Sequence, residues 1–134
     1  MPSVSYKYNK HQKLKSRKLV ENLFSKGKST LAFPVKLVYT LEESEKPNVL
    51  SGAGVSKKYF KKAHDRNYIK RLIRETYRHH QHQLIAFSEK QKLTIHIFML
   101  YIYKELPSYE ALNAQMPTII QKLIKQISNE REVK

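Results

Sequence analysis

The side chains in this sequence with the clearest chemical use are cationic. Lys57 and Lys58 follow Ser56 at the end of a β-rich run, and Arg66-Asn67-Tyr68-Ile69-Lys70-Arg71-Leu72-Ile73-Arg74-Glu75 comes shortly after. At about 100° per residue, Ile69, Leu72, Ile73, Thr76 and Tyr77 share one sector of a helix, and Arg66, Asn67, Lys70, Arg71, Arg74 and Arg78 fill the adjoining one. Such a helix packs one side on a core and offers the other to a polyanion. Arg and Lys neutralise phosphates, while Asn67 can bond a phosphate or a base edge. A basic face that is merely solvated is the competing reading of the helix alone.

A catalytic reading has less to work with. His64 and Asp65 open this helix, and His79, His80 and His82 cluster near its end. Neither group has a recognised acid–base or metal spacing, and carboxylates that could hold Mg²⁺ are few. A solvated helix face accounts for the histidines better than a metal site does. Asp65 suits the positive end of the helix dipole. A stand-alone nuclease using His64 and Asp65 is the third and weakest reading. The expectation is no catalytic residue and no metal site in the protein itself. The chain has no cysteine, which excludes disulfides and thiolate metal sites.

The charge supports binding. The chain of 134 residues carries 26 Lys and Arg against 11 Asp and Glu, a net charge of +15. Residues 1–28 hold eight basic groups and one acid, and residues 57–80 hold nine and two, so each segment nets +7. Residues 29–56 come to −1 and residues 81–134 to +2. A charge gathered in two segments is the footprint expected on nucleic acid. No stretch reaches about 18 consecutive apolar residues, so no membrane partner is expected. No apolar signal region follows the N-terminal lysines, which makes a cytoplasmic location the expectation.

The elements that must position these groups follow from periodicity. Residues 1–15 read as a mobile basic arm, and residues 16–134 as a single nucleic-acid-binding domain. Leu19, Val20, Leu23 and Phe24 recur at helical spacing up to Gly27. Pro34 should split a short strand near Ser29–Ala32 from a longer one that includes Val35, Leu37, Tyr39 and Leu41. Val49–Lys58 reads as a strand with Gly52, Gly54 and Ser56 on one face, where another backbone could come close. The central helix should run from Ala63 to about His82 or onward to Phe87. Leu93–Tyr103 reads as a strand covered on both faces. Ser108 is a candidate N-cap for a last helix with a kink or restart at Pro117. On periodicity, Val20, Phe24 and Tyr39 fit a core better than stacking platforms. The order is α-β-β-β-α-β-α, an α+β domain.

Several runs resemble the protein subunit of bacterial ribonuclease P. They are Leu23-Phe24-Ser25-Lys26-Gly27-Lys28-Ser29, Val35-Lys36-Leu37-Val38-Tyr39-Thr40-Leu41, Gly54-Val55-Ser56-Lys57-Lys58 and, most specifically, Arg66 to Glu75. The chain matches that family's helix signature at Arg66, Asn67, Ile69, Lys70 and Arg71. It departs at Tyr68, where the family has a second arginine, and by one inserted residue between Lys58 and Arg66. The resemblance implies a four-stranded, mostly antiparallel sheet with a left-handed β-α-β crossover, like the second domain of ribosomal protein S5. It implies a monomer in a 1:1 complex with a catalytic RNA, which holds Mg²⁺ and removes the 5′ leader of precursor tRNA. Carried over by position, Arg66, Asn67, Lys70, Arg71, Arg74, Lys57 and Lys58 would face RNA. Val20, Phe24, Tyr39, Gly54 and Ser56, with Lys57, would line a cleft for the leader. A general binder of structured RNA, ribosome-associated or a chaperone, is the alternative.

Overall fold

Alternating side chains along four strands give the molecule one apolar sheet face, and the helices cover it. A computed structural model of the chain describes residues 25–132. The expected arm at 1–15, Val20, Phe24 and most of the expected first helix lie outside the described residues. Ser25 and Lys26 are helical, and the helix has ended by Gly27. The strands are β1 (Lys28–Ala32), β2 (Val35–Glu43), β3 (Val49–Val55) and β4 (Leu93–Tyr101). Helices α1 (Ala63–His80) and α2 (His82–Gln91) lie between β3 and β4, and α3 (Tyr109–Glu132) follows.

The strand order is β1-β2-β4-β3. The β1–β2 and β2–β4 pairs are antiparallel and β3–β4 is parallel. The parallel pair needs a long crossover, which α1 and α2 supply. Pro34 has no N–H to give a ladder, and it separates β1 from β2 as expected.

Register puts Leu37 opposite Met99, Tyr39 opposite Ile97 and Val49 opposite Ile95. These side chains meet Ile69, Leu72, Ile73 and Tyr77 of α1 and Leu112, Met116, Ile119, Ile120, Leu123 and Ile127 of α3 in one core. The five residues of α1 assigned by periodicity to its apolar sector are the five that are buried.

Two sequence expectations change. In β4 only Leu93, Ile95, Ile97, Met99 and Tyr101 are buried. Thr94, His96, Phe98 and Leu100 on the other face are half-buried, because the described helices pack on one side of the sheet. The central helix stops at His80, and buried Gln81 separates it from α2. Helix α3 passes through Pro117 without a restart. Its start is as read: the Ala111 N–H donates to Ser108 Oγ at 3.1 Å, an N-cap bond to the third helical residue.

Helix α2 ends on Lys92 at φ 56°, with its N–H donating to the carbonyls of Glu89 and Ser88. A side chain in the left-handed region costs about 1 kcal/mol, which glycine avoids. Lys92→Gly is therefore expected to stabilise the fold by roughly 0.5–1 kcal/mol, read as a higher urea midpoint at unchanged slope.

Candidate nucleic-acid interface

The short segment after β3 and the first turns of α1 are built around Arg66. Its Nη1 donates to the Phe60 carbonyl at 2.9 Å and to the Lys61 carbonyl at 2.7 Å. Phe60 is itself buried against Tyr101, with ring centroids 6.2 Å apart. Arg66 thus ties the loop to the helix, a positioning role that the helical wheel does not reveal. Ser56 accepts the Lys58 N–H on Oγ at 3.2 Å, and its own N–H donates to the Tyr101 carbonyl at 3.4 Å. These bonds turn the chain so that Lys57 and Lys58 lie in solvent.

Along one side of α1, His64, Asn67, Tyr68, Arg71 and Arg74 line a shallow depression of about 310 Å³. Tyr68 is half-buried against the core, and the Arg71 guanidinium lies 5.8 Å from its ring centroid. That distance is within cation–π range. Among the described residues, Lys70, Arg71 and Arg74 have no carboxylate partner; the ion pair found there joins Lys28 to Glu130 at 3.3 Å. Cations left unpaired along one arc repel one another, so this arc costs stability and suits an anionic ligand. His64 and Tyr68 were missed as lining residues because their neighbours on the wheel, not their types, place them there.

The histidines near the end of α1 belong to its packing. His79 Nδ1 shares a hydrogen bond of 2.8 Å with the Tyr109 hydroxyl, and His80 Nε2 donates to Asn113 Oδ1 at 3.0 Å. Instead of a solvated face, His79 and His80 join α1 to α3, while His82 is exposed. Among the described residues no group of three or more His, Asp or Glu side chains is placed to hold a metal ion.

The residues named for a leader cleft do not all share a surface. Gly54 pairs with Leu100 and Tyr39 with Ile97, so their side chains leave opposite faces of the sheet. A Cβ built on Gly54 would come within 2.5 Å of the Phe98 ring. The space over the small-residue face is therefore occupied by an aromatic ring, where the sequence suggested a close-approaching backbone. Within an unbroken apolar run Phe98 carried no signal of this; only its register beside Gly52 reveals it. Thr40 and His96 lie on the same face, 3.3 Å apart, and burial lowers the His96 pKa.

Tyr39 is 1% exposed, so its ring is core and no stacking platform. Its hydroxyl donates to Glu130 Oε1 at 2.9 Å and accepts from Gln126 Nε2 at 2.8 Å. Burial, reinforced by the Glu130 carboxylate, pushes the Tyr39 pKa up to about 12. Burial with nearby Tyr103 and Glu105 does the same for Tyr101, also to about 12. Both phenols ionise near pH 10 in an unfolded chain. Their raised folded values contribute stability that is complete below pH 10 and lost as pH rises towards about 12. The urea midpoint is expected to fall across that window, and less in Tyr39→Phe than in the parent chain.

Residues 8–124 match the ribonuclease P family. A "Ribonuclease P protein component" from Chlorobium phaeobacteroides is 34% identical over 122 residues, covering 83% of this chain and 84% of that one. One from Porphyromonas gingivalis is 28% identical over 114 residues, covering 84% and 83%. The solved Staphylococcus aureus RNase P protein has the same fold, with a TM-score of 0.54 at 21% identity over 89% of this chain and 96% of that one. With a family match over residues 8–124, and a relative above 30% identity along most of its length, this chain belongs to the family of ribonuclease P protein components.

Proposed function

We propose that the chain binds a catalytic RNA through the basic arc of α1 and helps that RNA remove the 5′ leader of precursor tRNA. The observation that carries this is the run of unpaired cations Lys70, Arg71 and Arg74 on a helix whose other side is locked into the core. Arg66 holds the loop that leads from Lys57 and Lys58 to this arc. Asn67, exposed beside Arg71, can reach phosphate or a base.

In this proposal the leader crosses the sheet face of Gly54 and Ser56, where Phe98 offers a half-buried ring. Val20 and Phe24 are assigned to the same cleft by position in the sequence. Tyr39 contributes from beneath, through the network at Glu130, since its ring is enclosed. Mg²⁺ is assigned to the RNA, which carries the hydrolysis. The protein acts as a monomer in a 1:1 complex, in the cytoplasm. No helix among the described residues is long and apolar enough to cross a membrane.

Reconstitution tests this directly. At low Mg²⁺, cleavage of a leader-bearing precursor tRNA is expected to require both the protein and the catalytic RNA from the same source. Cleavage by the protein alone would overturn the proposal. Affinity for substrate in the complex should rise with a leader several nucleotides long. Indifference to the leader would favour a general structured-RNA binder.

A further inference from the structure

The end of the sheet where β2 begins and β3 and β4 finish keeps large apolar side chains in solvent. Phe33 is 57% exposed, and Leu31 and Leu106 are each 53% exposed. The Phe33 ring meets Tyr103 edge-on, with centroids 5.0 Å apart and planes at 69°. This geometry leaves a face of Phe33 open.

The cluster is held firmly from several sides. The Ile102 N–H donates to the Pro34 carbonyl at 3.0 Å, and the Tyr101 hydroxyl donates to the Glu105 carbonyl at 2.6 Å. Lys122 Nζ donates to the Leu31 carbonyl. A ring fixed in this way loses little freedom when a flat partner stacks on it.

The surroundings are cationic. Val55 lies beside Tyr101 in the register, so Lys57 and Lys58 leave the same end of the sheet, and Lys104 follows Tyr103. Tyr59 is 44% exposed, with the Lys58 ammonium 5.5 Å from its centroid. Glu105 is the acid of this cluster, and its carboxylate is engaged by the Tyr103 hydroxyl at 2.5 Å.

We propose that this sheet end is a stacking platform for an unpaired RNA segment, with a base on the open face of Phe33 and its flanking phosphates on Lys57, Lys58 and Lys104. Exposed rings interleaved with lysines match the chemistry of single-stranded nucleic acid, whose bases all have a face to stack. A second copy of this chain, at +15, would bring like charge against like. Lys57 and Lys58 lead from this sheet end into α1, so the platform extends the interface assigned above. It rests on the reading of the chain as an RNA binder, but Phe33 and Tyr103 lie outside the helix arc and the cleft.

The test uses the full chain and a labelled ten-nucleotide single-stranded RNA at fixed salt, with no catalytic RNA. Phe33→Ala is expected to weaken binding about tenfold without changing the salt slope, because a stacked base and no phosphate contact is lost. Phe33→Trp should retain binding. Lys57→Ala with Lys58→Ala should weaken binding and lower the slope. Phe33 is exposed, so all variants should melt with the parent chain. Phe33→Ala binding within twofold of the parent, while melting normally, would overturn the platform. So would sedimentation showing a dimer that Phe33→Ala dissolves, since the face would then serve a second copy. If Phe33→Ala loses the oligonucleotide but the parent chain fails to support cleavage with the catalytic RNA, the platform stands and the broader proposal falls.

Discussion

A chain with Lys70, Arg71 and Arg74 all replaced by alanine is expected to bind the catalytic RNA about 10²-fold more weakly near physiological salt, with the salt slope lowered by roughly 2–3 units. Each cation that touches a phosphate releases counterions, so affinity and slope should fall together. The three have no carboxylate partner among the described residues, so their removal breaks no ion pair there. Stability should hold or rise as like charges are removed. Arg66 separates charge from geometry. Arg66→Lys keeps the charge but loses the planar guanidinium whose Nη1 bonds both the Phe60 and Lys61 carbonyls. It should weaken RNA binding nearly as much as Arg66→Ala if Arg66 acts by positioning the loop. Filter binding across a salt series reads both results. An unchanged slope in the triple variant would mean that these side chains do not touch phosphate.

Ile73→Ala is expected to act through the fold instead. Ile73 is fully buried between α1 and the sheet, and truncating such a side chain costs about 2–5 kcal/mol. Against a total stability of roughly 5–15 kcal/mol this is a large fraction. The melting temperature should fall by about 10 °C or more. RNA binding should then be lost only as the chain unfolds, with the salt slope of the folded fraction preserved. The two variants therefore dissect α1, one through its anion-facing arc and the other through its anchor. If the triple alanine variant melted as low as Ile73→Ala, the charges would be part of the fold and not of the interface.

Much of this was legible in the order of residues. The period of α1 separates Ile69, Leu72, Ile73, Thr76 and Tyr77 from the cations, and burial follows that division. Pro34 marks the boundary of β1 and β2 because proline cannot donate to a ladder. Ser108 marks the start of α3 because its hydroxyl satisfies a free helix N–H. These signals are local, each set within a few residues.

What the sequence could not supply depends on partners distant along the chain. Periodicity already fitted Tyr39 to the core, but the partners of its hydroxyl, Glu130 and Gln126, lie roughly 90 positions away. Gly54 is small because Phe98 of the neighbouring strand lies over it, and only the β3–β4 register sets that pairing. His79 and His80 are spent on α3, although the helical wheel leaves them on a polar arc. The grouping of Phe33, Tyr103, Lys57 and Lys58 at one sheet end likewise needs the strand order β1-β2-β4-β3. By itself the sequence determined that this protein carries a basic helix with one buried side, because amphipathic periodicity and charge are properties of neighbouring residues. The tertiary structure alone decided which rings face solvent, which cations stay unpaired and which polar groups are consumed in packing, because those outcomes depend on contacts between residues far apart in the chain.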